Sequence, residues 1–572
     1  MRNKNIAAAL AVSVAILVAP KEPTEAQSAA PTPVCAAGFA GSTMPRTLGQ
    51  WAEGAKLFDG LGDFHRAATT KSPEAQKYFD QGMRYLWAFN HDEATRSFAK
   101  AAQLDPDCAI CYWGVSLTVG PNYNLPLLAE ARAVVAWDAL QQAQRTAAHA
   151  SPAEKALIAA LGKRYASAAP LDPAAAAPLL AAYAEAMQAV ARSYPEDTDI
   201  QVMAAEAAMT SNAWKLWSLD GKPASGTEAI VSALEAVLAK HPGHAGANHY
   251  YIHAVEASPH PERGVAAAQR LKGLMPAAGH LEHMPAHIYQ RIGRYEAAAD
   301  ANRVGAAADL VYFEQAKPPD YYAMYTGHNY QFLAFSAAMQ GRKAETLKAV
   351  KQSRNMMPDD MLLAMPGADW YVAEQYLGLV RFGLWDDILA ESAPNPKLPG
   401  LHGAYLYATA VALAAKGKVD AAKARLGEVE QFAASLGADE SAGLNSLKDV
   451  LEVAVLTVRG RIAAAEKRLD EAVRSLGEAV AKEDQLAYDE PADWFVPGRQ
   501  LLGAVLLDAG KAADAERVYR DDLARHPENG WSLFGLARAL DAQGKSAEAG
   551  DVRQRFTAAW AMADTTLKAS AF

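Results

Sequence analysis

Residues 74–107 read EAQKYFDQGMRYLWAFNHDEATRSFAKAAQLDPD, and this stretch decides the fold. Gly82 and Tyr85 lie on a first apolar-periodic segment, Asn90 to Asp92 make a turn, and Ala94, Phe98 and Ala101 lie on a second. Pro106 then stops the unit. The pattern predicts two helices packed side by side. Gly82 and Ala94 allow their backbones to approach closely, while Tyr85 and Phe98 fill the gap to a following pair.

The same spelling returns far along the chain. Gly503, Ala515, Tyr519 and Pro527 fit one unit; Trp531, Phe534, Gly535 and Ala547 fit the next. Ala472, Leu476 and Ala479 mark another second helix, and 417–432 and 342–354 read likewise. This periodicity resembles the tetratricopeptide repeat. The resemblance implies an all-α fold, a right-handed superhelical solenoid over residues 71–572 with about eight or nine helix pairs. It also implies a scaffold whose concave face, lined by the first helices, takes a peptide, a small molecule or a protein partner.

Composition agrees with close helix packing. Hydrophobic residues make up 51% of the 572 residues, with Ala dominant. The net charge of −10 is spread without a basic stripe, so nucleic acid is not an expected partner. Arg2 and Lys4 precede an apolar run from Ile6 to Ala19, too short to span a bilayer, and small residues follow. Residues 1–30 therefore read as an export signal and 31–70 as a disordered or irregular lead-in. The mature chain is expected to be periplasmic or secreted and not to span a membrane. Cys108 and Cys111 form a C-x-x-C without a following His; a short disulfide is the structural reading, a redox thiol pair the alternative.

The histidines carry the functional signal, in a central part spanning 241–330. Fourteen of them scattered at random would give about 0.3 pairs spaced four apart, the spacing that shares a helix face. Two such pairs occur, His249/His253 and His283/His287, set 34 residues apart, which is the repeat period. Aligning Pro242 with Pro276 puts Ile252 and Ala286 in the small-residue slot, with Ala205 and Ala334 in the units on either side. Measured from that slot, His249, His253, His280, His283, His287 and His328 project onto one stripe about 60° wide. Glu206 and Glu256 fall on or beside it.

Imidazoles converging from adjacent helices suit a transition metal, with Cu, Fe or Zn the natural candidates where no thiolate joins them. In this reading His249, His253, His283 and His287 form the nucleus. His328, His280, Glu206 or Glu256 complete a second site or surround the first. Glu206 or Glu256 serves as ligand or general base, and Tyr250, Tyr251 and Tyr325 contact substrate. Two other readings compete: a groove binding an acidic peptide without metal, and a duplicated motif with no ligand. Pro285 falls between the second pair and either opens a helix or kinks it. His241, His244 and His260 are read as structural; His65, His91, His149, His402 and His526 as surface or capping residues.

Other chemistry has little support. No Gly-rich phosphate loop, G-x-S-x-G or H-E-x-x-H occurs. Segments 211–226 and 314–321 break the helical rhythm as insertions able to cover the groove. Residues 488–497 read first as a long connection capped by acids, and alternatively as a loop that brings Asp489 and Glu490 to the groove. The whole favours an exported metal-dependent enzyme, oxidoreductase before hydrolase, over a non-catalytic scaffold for a peptide or protein.

Overall fold

The computed structural model describes residues 44–316 and 322–572. The proposed signal at 1–30 and the end of the second insertion at 317–321 lie outside them. Within the described residues the chain is an all-α solenoid of tetratricopeptide-type helix pairs, with a two-residue strand pair at Ser441–Ala442 and Asn445–Ser446 and three isolated bridges in its connections.

The deciding stretch folds as read. Its helices are Pro73–Trp87 and His91–Leu104, capped by Ser72 and Asn90, whose side chains accept the amides of Ala75 and Glu93. Phe98 explains the glycines on either side of it. A β-carbon on Gly82 would lie 2.6 Å from the Phe98 ring, and one on Gly114, in the next first helix, 2.5 Å. Gly503 and Gly535 enclose Tyr519 in the same way, at 2.4 and 2.2 Å. In these two units one aromatic from the second helix is clamped between two glycines of successive first helices, which sets the stacking distance there.

The solenoid holds more helix pairs than were read from the sequence. The units missed run between 130 and 193, where Ala-rich helices such as Pro173–Ser193 carry no Gly and aromatic signature. That helix is also long and apolar enough to cross a bilayer, a feature the sequence reading passed over; here it packs against Pro152–Leu161 and Thr198–Thr210 within the array. Residues 44–70 lie on the first repeats: Arg66 pairs with Asp197 and Asp199, and the Gly60 carbonyl accepts from Ala277. Cys108 and Cys111 are joined as a disulfide at the start of Ala109–Val119.

The superhelix curls until remote units meet. Helix Ala245–Val255 packs on Pro73–Trp87, where Gly246 rests against the Trp87 ring, and Gly293 meets the Pro527 carbonyl. The inner surface expected to be an open groove is therefore closed around the histidines.

Candidate metal centre

The two histidine pairs occupy equivalent places on neighbouring first helices, but the helices differ. Ala245–Val255 is continuous and carries His249 and His253 one turn apart. Its partner is broken: Gly279–His283 ends, Met284 forms the joint, and Pro285 opens Pro285–Arg291. Proline has no amide hydrogen to continue the ladder, so the chain restarts with proline in the first turn, where it is tolerated. Gly279 and Gly305 let this segment lie directly on helix Tyr295–Ala316; a β-carbon on either would fall within 2.7 Å of the other's carbonyl oxygen. That contact brings His283 to Asn302. His328 comes from the next first helix, Ala323–Met339.

All six imidazoles are buried, with exposures from 0% at His249 and His283 to 8% at His328. They form two groups of three. His249, His253 and His280 each offer a ligand atom within 4.8 Å of the others, and so do His283, His287 and His328. A third grouping, His253, Glu256 and His287, links the two. Ring centroids of facing members, His253 to His287 and His280 to His283, are 5.5 and 5.7 Å apart, as close as rings within one group.

Hydrogen bonds orient three of these rings and carboxylate ion pairs a fourth. His249 Nδ1 lies 2.6 Å from the Trp87 carbonyl oxygen, an atom that only accepts. His253 Nδ1 lies 2.9 Å from Glu256 Oε1. His283 Nδ1 lies 2.6 Å from Asn302 Oδ1, whose own amide donates to the Ala298 carbonyl. His287 Nδ1 sits 2.8 Å from Glu256 Oε2 and also touches Glu490 Oε2. For His249, His253 and His283 the partner requires a proton on Nδ1 and leaves the lone pair on Nε2; His287 Nε2 lies 2.8 Å from that of His283. The Nε2 atoms of His249 and His253, both nitrogens of His280 and Nδ1 of His328 have no hydrogen-bond partner among the described residues.

Burial makes five of the rings resist protonation. It lowers His253 and His328 to about 3, with His287 adding repulsion, and pushes His249, His280 and His283 well below the ordinary value. His287 goes the other way. Burial opposes its charge, but Glu490 and then Glu256 outweigh that and raise it to about 10. Burial, and then repulsion from Glu256, raise Glu490 itself to about 7.

Aromatic rings close the cluster. Phe89, in a left-handed backbone conformation (φ 53°), lies 4.4 Å from His249 and stacks on His253 and His280 at 5.7 and 5.9 Å. Phe332 covers the second group, 4.6–5.0 Å from His283, His287 and His328. Within the 211–226 insertion Trp214 stacks on Tyr123 and approaches His253, while Trp217 Nε1 donates to the Ala254 carbonyl.

Several expected residues stand elsewhere. Glu206 joins none of the histidine groups; it accepts from Thr210 and feels Arg164. It is one slot too far along the solenoid. Tyr250 packs its ring on His249 at 5.2 Å and on Phe89 at 5.3 Å, but its hydroxyl points away, to the Leu86 carbonyl. Tyr251 turns away to Glu235, which Arg263 also holds. Tyr325 does reach the cluster, edge-on to His280 at 5.2 Å. His91, read as surface or capping, is buried and stacks on Phe89. His244 caps its helix, as read.

The sequence reading missed Trp87, Phe89, Asn302 and Phe332, and gave the 488–497 loop first to connection. Trp370, Tyr371, Leu444 and Asn445 grip Asp489 and Asp493 and so aim Glu490 at His287. Asn302, a buried amide in an Ala-rich helix, was visible as an anomaly; a backbone carbonyl such as that of Trp87 leaves no mark in a sequence.

No protein-family model matches the chain, and no curated protein does. Among solved structures it is similar to the human IFIT1 dimer with m7Gppp-AAAA at 12% identity and TM-score 0.33, covering 90% of this chain and 97% of that one. It is similar to Cut9 of the APC/C hetero-tetramer Cut9-Hcn1 at 13% and 0.32, covering 86% and 81%. For yeast Tom70 the values are 11% and 0.28, covering 86% and 92%.

Proposed function

We propose that this chain is an exported metal-dependent enzyme, with a transition metal (Cu, Fe or Zn) held by the buried histidines, and that it is an oxidoreductase rather than a hydrolase. One observation carries the reading. Three rings, His249, His253 and His283, have Nδ1 committed to acceptors, so their Nε2 lone pairs turn into a dry interior where no described group donates to His249 or His253. Buried polar atoms without partners are costly, and a cation satisfies several lone pairs at once.

The carboxylates serve the rings. Glu256 holds His253 and His287 together, fixing the angle between them, and raises the basicity of His287. Glu490 adds a second negative charge at His287. Neither occupies the face where the Nε2 atoms converge, which leaves Glu256 as a positioning residue. A site sealed by Phe89 and Phe332 favours electron transfer to a small molecule over attack on a polymer. A peptide groove has no need of buried imidazoles at chelating spacing.

The test is elemental analysis of untagged protein from its own compartment, before and after chelation, with His253→Ala and His287→Ala alongside. Stoichiometric metal that chelator and both substitutions remove is the expected result. A folded, metal-free protein that keeps its activity or its partner returns the chain to a scaffold.

A further inference from the structure

We infer that the cluster is a dinuclear copper centre, one ion on His249, His253 and His280 and the other on His283, His287 and His328, that takes dioxygen between the two ions. The inference rests on the metal reading above and specifies it.

The number of ions follows from the grouping. Six nitrogen donors exceed what one ion takes in a tetrahedral site, and they divide into two triads, each closed within 4.8 Å. Each triad has its own aromatic cover and its own outer anchor: Phe89 and the Trp87 carbonyl for the first, Phe332 and Asn302 for the second. Glu256 spans the two, one oxygen on His253 and the other on His287. Facing rings at 5.5 and 5.7 Å place the two centres near enough to share one ligand.

The metal follows from the donors. Each triad consists of imidazoles without thiolate or carboxylate, a set that copper binds most strongly among divalent first-row ions. Three ligands leave each ion a position open towards the other.

The ligand class follows from burial and charge. The least buried of the six rings is only 8% exposed, so the shared ligand is a diatomic rather than a peptide or sugar. Two cuprous ions carry two positive charges, which the neighbouring carboxylates Glu256 and Glu490 offset, with Arg291 also beside them. Each cuprous ion then gives one electron to dioxygen, producing two cupric ions and one bridging peroxide. No proton is needed. The two added positive charges meet the two negative charges of peroxide, so the formal charge of the buried site is unchanged, which is what a low-dielectric interior demands.

The full-length chain, stripped of metal, is titrated with Cu(I) under anaerobic conditions, then exposed to dioxygen while uptake and visible absorption are followed. Two copper ions and one dioxygen per chain, with a new absorption band, are expected. His280→Ala and His328→Ala should each reduce the count to one ion and abolish uptake, with helical circular dichroism retained. One ion on the unaltered chain overturns the pair while leaving a metalloprotein; two ions without uptake overturn the dioxygen assignment; none removes the metal reading itself. The unaltered chain decides all three even if a variant does not fold.

Discussion

The Nε2 atoms of His283 and His287 lie 2.8 Å apart, one helical joint from each other, across Met284 and Pro285. Asn302 occupies the far nitrogen of one ring and Glu256 and Glu490 that of the other. Two lone pairs facing at that distance repel unless a proton or a cation stands between them. With ligand bonds of about 2.0 Å, two nitrogens of one ion lie about 2.8 Å apart when they meet it at a right angle. The broken helix thus holds a spacing that a continuous one does not set.

Glu256→Gln removes the charge that spans His253 and His287 and keeps one acceptor oxygen. Metal affinity should fall by about 10- to 100-fold, the usual cost of losing a partner behind a ligating imidazole. Competition with a chelator of known strength measures it. Unchanged affinity would show that Glu256 does not orient the ligands.

Gly246→Ala probes the closure of the superhelix. The added β-carbon would lie 2.5 Å from the Trp87 ring, and the Trp87 carbonyl anchors His249. A loss of about 1–3 kcal/mol in urea unfolding is expected from overpacking. Metal held by His249, His253 and His280 should weaken with it. A neutral substitution would mean that the two units need not touch.

His91→Phe tests the acid limb of stability. Burial, with Arg132, Arg164 and His249 adding repulsion, lowers His91 from 6.5 to about 3, and neither ring nitrogen has a partner among the described residues. The unfolded chain therefore binds this proton first, and the neutral ring's contribution, complete above pH 6.5, drains away as the pH falls towards 3. One such group makes a slope of about 1.4 kcal/mol per pH unit. The phenylalanine variant should be at least as stable at pH 7 and gain on the parent at pH 5, read from urea midpoints. Parallel curves for the two proteins would refute the assignment.

The repeat units with a Gly and aromatic signature were legible because their spacing is a local property. Gly82, Phe98 and Gly114 declare a helix pair through contacts that any reader of the period can place. The Ala-rich units between 130 and 193 were not, since Ala packs in any register and marks none. The six histidines were legible for the same reason as the glycines: 100° per residue and a 34-residue repeat put them on one stripe.

The amino-acid order by itself determined the helical array and which histidines share a face, because helix period and repeat length operate within a few dozen residues. Only the tertiary structure decided that the face is sealed, that Trp87, Asn302 and Glu490 meet the rings, and that Glu206 and Tyr251 do not. Those contacts depend on how tightly many small packing angles add up along the solenoid. That sum brings Trp87 and Glu490, far apart in the chain, to opposite sides of one buried cluster, and no local pattern encodes it.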